Sequence, residues 1–168
     1  METVAATVDA AEFAEWARPS LLPMTRLAKR LAPHADADDV VQDALARAWS
    51  KRTQFDPERG TPKTWLLAIV ADQARSARRG RIRRLRVVDE HADLPDVPAT
   101  ADAAADVDLE RAIQQLSERQ QLAVHLHYFV GLTTDETADV MSCSTGTVKS
   151  TLFDARSRLR ALLGETDD

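Results

Sequence analysis

The sequence predicts an all-α protein of two small helical domains joined by a flexible acidic linker, the second domain carrying a helix-turn-helix. Three observations predict it. Apolar residues recur at helical spacing on both sides of a Pro- and Asp-rich interval. Basic and acidic residues are segregated along the chain. Several capping signatures mark helix starts near the C-terminus.

The stretch Leu132 to Arg160, LTTDETADVMSCSTGTVKSTLFDARSRLR, is the most informative. Thr133 with Glu136 three residues on forms a capping box. The short helix that follows carries Ala138 and Met141 on one face and stops at Ser142-Cys143. Ser144 is the next N-cap, because its hydroxyl can accept from the free amides of the following turn. The second helix sets Val148, Leu152, Ala155 and Leu159 on one stripe. Lys149, Ser150, Arg156, Arg158 and Arg160 lie mostly off it. Such a unit can insert the start of its second helix into a DNA major groove. Two amphipathic helices and a turn also occur in ordinary bundles, so the rest of the chain has to support that reading.

At 168 residues, with 44% hydrophobic content, the chain can bury one core or two small ones. No apolar run approaches the roughly 20 residues that span a bilayer. The N-terminus has acids where a signal peptide would have Lys or Arg, which predicts a cytoplasmic protein without membrane insertion. The single cysteine, Cys143, leaves no internal disulfide and no Cys-rich zinc site. It falls in the helix-turn-helix turn, where a small buried side chain is the expected role.

The net charge of -5 conceals strong segregation. Between Thr61 and Arg86 there are eight basic residues and one acid, Asp72. Between Val87 and Glu110 there are eight acids and no Lys or Arg. That pattern predicts separate surfaces for separate partners.

In chain order, residues 1–10 read as a disordered N-terminus. Phe13 and Trp16 open an apolar stripe, Pro19 and Pro23 interrupt it, and Met24, Leu27 and Leu31 resume it. His34, beside Pro33, reads as a solvated loop residue. Asp36 to Lys51 reads as a helix with acids at its start, which suits the helix dipole. Its buried face is Val41, Leu45, Ala48 and Trp49, and Asp39, Gln42, Asp43 and Arg47 share the exposed side. Phe55 to Gly60 is a loop, and Thr61-Pro62 starts the next helix. That helix carries Trp65, Leu66, Ile69, Val70 and Ala74 inward. It ends in seven arginines within twelve residues, whose guanidinium forks suit phosphate.

Residues 87–105 form the linker, with Pro95, Pro98 and few large apolar residues. As a flexible chain it would span roughly 25 Å, or roughly 65 Å if extended. The second domain, 106–168, starts with the stripe Leu109, Ala112, Ile113, Leu116. A second capping box, Ser117 with Gln120, precedes the stripe Leu122, Leu126, Phe129, and Gly131 closes that helix. His125 and His127 point to different sides and read as surface or half-buried residues. The tail GETDD reads as solvated.

Three stretches together, DADDVVQDALARAW, GTPKTWLLAIVADQARSARRGR and the segment from Leu116 to Leu163, closely resemble the bacterial RNA polymerase sigma factors of the extracytoplasmic-function group, within the sigma-70 family. The resemblance runs from about Phe13 to Leu163. It implies a domain over 11–86 that binds core polymerase and opens the minus-10 promoter element, and a domain over 106–168 that reads the minus-35 element. By the resemblance, Asp39, Gln42, Asp43 and Arg47 dock on the clamp coiled coil of the largest core subunit. Phe55, Arg59, Lys63, Trp65, Asp72, Arg75, Arg78 and Arg79 match the minus-10 surface, which captures a flipped base. Ser144, Thr145, Thr147, Lys149, Ser150, Thr151, Arg156 and Arg158 match the minus-35 reader. The linker matches a segment that threads near the polymerase active site. Further implied partners are the flap of the second-largest subunit, promoter DNA and an anti-sigma protein. No cofactor or metal is implied.

Two positions depart from the family pattern. Ala71-Asp72 stands where Arg-Asn is common, and Thr151 replaces an Arg that could grip guanine. Both bear on promoter specificity. The rival readings are a free-standing helix-turn-helix regulator, which would dimerise and bind duplex DNA alone, and an enzyme. Against the second, the sequence holds no Gly-rich phosphate loop, nucleophile elbow or metal-ligand cluster.

Overall fold

The computed structural model describes residues 9–87 and 101–164, and among them every regular element is helical. The expectations for residues 1–8, for most of the linker and for the last four residues lie outside the described residues.

Helix α1, Ala10–Ala17, is held by a capping box: the Asp9 carboxylate accepts from the amides of Ala11 and Glu12, and Glu12 accepts from the Asp9 amide. A 3-10 turn, Arg18–Ser20, leads into α2, Leu21–Leu31. The expected interruption falls at Pro19, where α1 has ended and a 3-10 turn intervenes, whereas Pro23 lies inside α2. Each falls in the first turn of its element, where a missing N–H costs no helical bond. Helix α3, Ala37–Ser50, is capped by Asp36, and α4 runs over Pro62–Val87. Thr61 and Thr64 cap α4 reciprocally: the Thr64 amide donates to Thr61 Oγ1 at 3.2 Å and the Thr61 amide to Thr64 Oγ1 at 3.0 Å.

These four helices enclose one core. Met24, Leu27 and Ala28 of α2 meet Val40, Val41 and Ala44 of α3 and Leu66, Leu67, Val70 and Ala74 of α4. Full burial of each Leu or Val contributes about 1.5–3 kcal/mol. An aromatic group closes one end. Trp16, Phe55 and Trp65 meet edge to face with centroids 5.2 to 5.8 Å apart, and Phe13 bridges to Trp49 at 5.3 Å.

The second half has α5 over Ala101–Gln114, α6 over Glu118–Val124, α7 over Thr134–Met141 and α8 over Thr145–Leu163. Residues 101–105, expected at the end of the linker, already belong to α5; four alanines there favour helix. All three expected caps form, at Ser117, Thr133 and Ser144. Between α6 and α7 the helix widens into a π turn at His125–Phe129, which the apolar spacing did not announce. Gly131 leaves it at φ +82°. Ile113, Leu116, Val124, Ala138, Val148 and Leu152 form this half's own core.

The two halves are packed on each other. Leu122, Leu126, Leu132 and Val140 of the second half join the core of the first. On α7, Ala138 points into its own half while Val140, two residues on and therefore across the helix, points into the other. Ion pairs rim the junction: Arg30 with Glu110, Lys63 with Glu136 at 2.5 Å, and Arg78 with Glu118 at 3.7 Å. The Arg30 guanidinium also lies 3.9 Å over the Phe129 ring.

Candidate polymerase and nucleic-acid interfaces

The exposed face of α3 carries Asp39, Gln42, Asp43 and Arg47, all solvent-facing. The opposite side buries Ala37, Val40, Val41, Ala44 and Ala48. Small residues there let α3 lie close against α2 and α4, so the polar face is held on a rigid element. Its two acids and one base form no ion pair among the described residues, and they are available to a partner.

The residues matched to the minus-10 surface gather around the start of α4. The loop before it and the first turns of α4 form a pocket of about 260 Å³, lined by Gln54, Asp56, Arg59, Gly60, Thr64 and Trp65. Phe55 meets the Trp65 ring edge to face, with centroids 5.6 Å apart. A polar floor with an aromatic wall is the chemistry that holds an unstacked base. Across the pocket stand Asp139 and Ser142 of the helix-turn-helix. Gly60 has no room for a side chain: a Cβ there would meet Thr64 Oγ1 at 2.9 Å.

Further along α4, Asp72 is exposed and its carboxylate accepts from Arg75 Nη2 at 2.7 Å. The acid that departs from the family pattern is thereby neutralised on its own helix. Arg79 Nη2 donates to Ser76 Oγ at 3.3 Å. Arg78 turns instead toward Glu118, so the eight residues do not form one continuous surface.

In the helix-turn-helix, α7 ends at Ser142 in the left-handed region, φ 50°. This turns the chain so that Ser144 can cap α8, accepting from Thr147 N at 3.1 Å. Thr145 Oγ1 donates to Asp135 Oδ1 at 2.9 Å and ties the start of α8 to α7. Thr151 Oγ1 donates back to Thr147 O at 2.7 Å, so this hydroxyl is occupied within the helix. Lys149, Ser150, Arg156 and Arg158 are exposed. Phe153, 62% exposed, stands among them on the outer face. It was not among the expected contacts, although its place off the stripe Val148, Leu152, Ala155 is visible in the sequence. A large apolar ring on the outside of a recognition helix is suited to a thymine methyl group.

One expectation is corrected. His125 is not at the surface but 2% exposed, in the π turn against α2. Burial, and secondarily the Arg30 charge, lower its pKa to about 4. His127 is half-buried as expected, with Nδ1 2.8 Å from the Leu132 carbonyl oxygen. His34 is exposed. Cys143 is half-buried against the second core. No described helix is long and apolar enough to cross a membrane.

Comparison with known proteins gives these surfaces a family. Residues 20–84 match the family model for sigma-70 region 2, and residues 106–159 that for sigma-70 region 4. The chain is 32% identical to the RNA polymerase sigma-E factor of Streptomyces coelicolor, over 93% of this chain and 88% of that protein. It is 32% identical to the ECF RNA polymerase sigma factor EcfG of Rhodopseudomonas palustris, over 79% of this chain and 75% of that one. Among solved structures it resembles the sigma factor RpoE in complex with the anti-sigma factor NepR from Bartonella quintana. The identity there is 29%, with a TM-score of 0.68 over 92% of this chain and 99% of the other. It also resembles CnrH in complex with the cytosolic domain of CnrY, at 26% identity and a TM-score of 0.69 over 97% of this chain and 94% of the other. A region-2 fold followed by a region-4 helix-turn-helix is the arrangement of a protein that directs transcription initiation, and the chain belongs to the extracytoplasmic-function group of the sigma-70 family of RNA polymerase sigma factors.

Proposed function

We propose how the work of initiation is divided over this chain. Region 2, residues 11–86, docks on the clamp coiled coil of the largest core subunit through Asp39, Gln42, Asp43 and Arg47. It captures a base of the minus-10 element in the pocket beside Trp65, with Phe55, Arg59 and Lys63 at its margin. Arg75 and Arg79 hold backbone phosphate, and Asp72 sets the geometry of Arg75 instead of opposing DNA. Region 4, residues 106–168, reads the minus-35 element with Lys149 and Ser150, supported by Phe153 and by Arg156 and Arg158. Residues 87–105 join the two, and region 4 also meets the flap of the second-largest subunit. The protein works in the cytoplasm, is not itself an enzyme and needs no cofactor. An anti-sigma protein holds it inactive until a signal arrives.

The observation that carries this reading is the α3 face: four polar residues, all exposed, on a helix whose other side is locked into the core. The anti-sigma partner is supported by the two structural relatives, each solved with one or with a partner's cytosolic domain. The test is Asp39→Lys with Asp43→Lys. Both side chains face solvent, so the cost to stability is the loss of a favourable first-turn acid at Asp39, about 1 kcal/mol, while affinity for core polymerase falls at least about tenfold. A folded double variant with normal core affinity would remove the α3 assignment.

A further inference from the structure

We infer that a cavity between the end of α2, the later turns of α4 and the start of the second half binds a small organic molecule carrying a diphosphate. The cavity measures about 540 Å³ and shares no residue with the pocket beside Trp65. That volume lies within the roughly 300–1,000 Å³ of small-molecule sites. Among its lining residues only Arg78 was matched to the promoter, and the structure sets Arg78 toward Glu118.

The charge of the wall calls for an anion. Lys29 and Arg30 come from the last turn of α2. Arg78 and Arg81 come from α4, three residues apart and therefore on one face. One acid, Glu110, stands against these four cations. Arg30 is matched by Glu110, and Arg78 by Glu118 at 3.7 Å. Lys29 and Arg81 form no ion pair among the described residues. The end of α2 accounts for Lys29, since a cation there suits the helix dipole. It does not account for Arg81, which is half-buried and more than a turn from the end of α4. A guanidinium drawn partly out of water favours an acceptor, and its planar fork fits phosphate oxygens in pairs. Two uncompensated cations match a ligand with two phosphate groups.

The rest of the cavity is not built for phosphate. Leu31, Ala32, Ala77 and Ile113 give it an apolar lining, which favours a carbon body beside the anionic group. The His125 ring lines it too, with Nδ1 buried and without a hydrogen-bond partner. At neutral pH that ring is uncharged, because burial and then the Arg30 charge lower its pKa to about 4. It therefore offers the body a flat surface and adds no charge. Residues of both halves line the cavity, so a ligand held there binds the packed arrangement and adds to its stability.

The test uses the full chain and calorimetric titration at one ionic strength with ADP, inorganic pyrophosphate and adenosine. ADP should bind with a Kd on the order of 100 μM. Pyrophosphate should bind at least about tenfold more weakly, having no body to cover the apolar lining, and adenosine should give no measurable heat. Lys29→Glu with Arg81→Glu should weaken ADP binding at least about tenfold. Arg26→Glu with Arg119→Glu makes the same change of charge on exposed residues outside the cavity and should keep ADP affinity within about twofold. If the cavity pair loses helicity, Lys29→Gln with Arg81→Gln carries the same readout. NMR places the ligand: ADP should shift the ring signals of His34 and His125, which line the cavity, and not those of His127. A Kd for ADP weaker than about 1 mM, equal losses in the cavity and control variants, or unmoved His125 signals would overturn the site. Adenosine binding as tightly as ADP would overturn the diphosphate, and pyrophosphate doing so would overturn the organic body.

Discussion

Lys63 Nζ lies 2.5 Å from Glu136 Oε1, and this contact joins the first turn of the longest region-2 helix to the first helix of the helix-turn-helix. Glu136 has a second duty, accepting from the Thr133 amide at 2.9 Å in the capping box. Burial acts to raise its carboxyl pKa, but the hydrogen bonds from Lys63 and from the Thr133 amide, with the Lys63 charge, outweigh that and hold it below its ordinary 4.5. A depressed carboxyl pKa adds stability above the unfolded value, which is lost as pH falls through the folded one. The contact is therefore complete at neutral pH and fails only below about 4.5. In Lys63→Met the Glu136 carboxyl titration, followed by NMR, should move upward. A midpoint that does not move would mean Lys63 is not its partner in solution.

His125 gives the opposite kind of group, a base kept neutral. Its pKa is lowered from 6.5 to about 4, first by burial and then by Arg30. The unfolded chain binds this proton below pH 6.5 and the folded chain does not, so stability is full above that pH and falls between 6.5 and about 4. From pH 7 to pH 5 the wild type should lose roughly 2 kcal/mol by urea unfolding on this account. His125→Leu should flatten that slope, and a variant with the wild-type slope would place the pH dependence elsewhere.

The local structure was legible because its signals are local. Thr133 with Glu136, Ser117 with Gln120, and Ser144 each named a helix start, and each forms the expected bonds. The polar face of α3 followed from spacing alone. The packing of the halves did not. Leu122 and Leu126 read as stripe residues of their own domain and Val140 belonged to no stripe, since spacing says which side of a helix is apolar but not which core it fills. The π turn is likewise silent in sequence: one extra residue in a helical turn shifts register without changing composition, and the buried His125 opens that turn. The outward place of Phe153 is legible from the stripe Val148, Leu152, Ala155, but spacing alone does not mark an outward apolar ring as a contact.

Phe153→Ala should leave the fold intact, since the ring is 62% exposed. It should weaken holoenzyme binding to promoter DNA about fivefold, near 1 kcal/mol, with the loss confined to the base pairs the ring touches. A footprint and affinity equal to wild type would exclude Phe153 from recognition.

Ser142 pays for the turn with a left-handed backbone, φ 50°. Ser142→Gly should relieve that conformation and raise stability by about 1 kcal/mol, seen as a Tm higher by roughly 3 °C. A lower Tm would mean that the serine holds the turn through its side chain.

Selection of promoters for core polymerase is the property on which the other assignments depend. The most direct measurement is transcription in vitro on fragmented genomic DNA of the source organism, with core polymerase alone and with core plus this protein, mapping every RNA start. The prediction is a set of starts found only when the protein is present, all sharing one pair of upstream sequence elements. No new starts, from a folded protein that binds duplex DNA unaided, would contradict it.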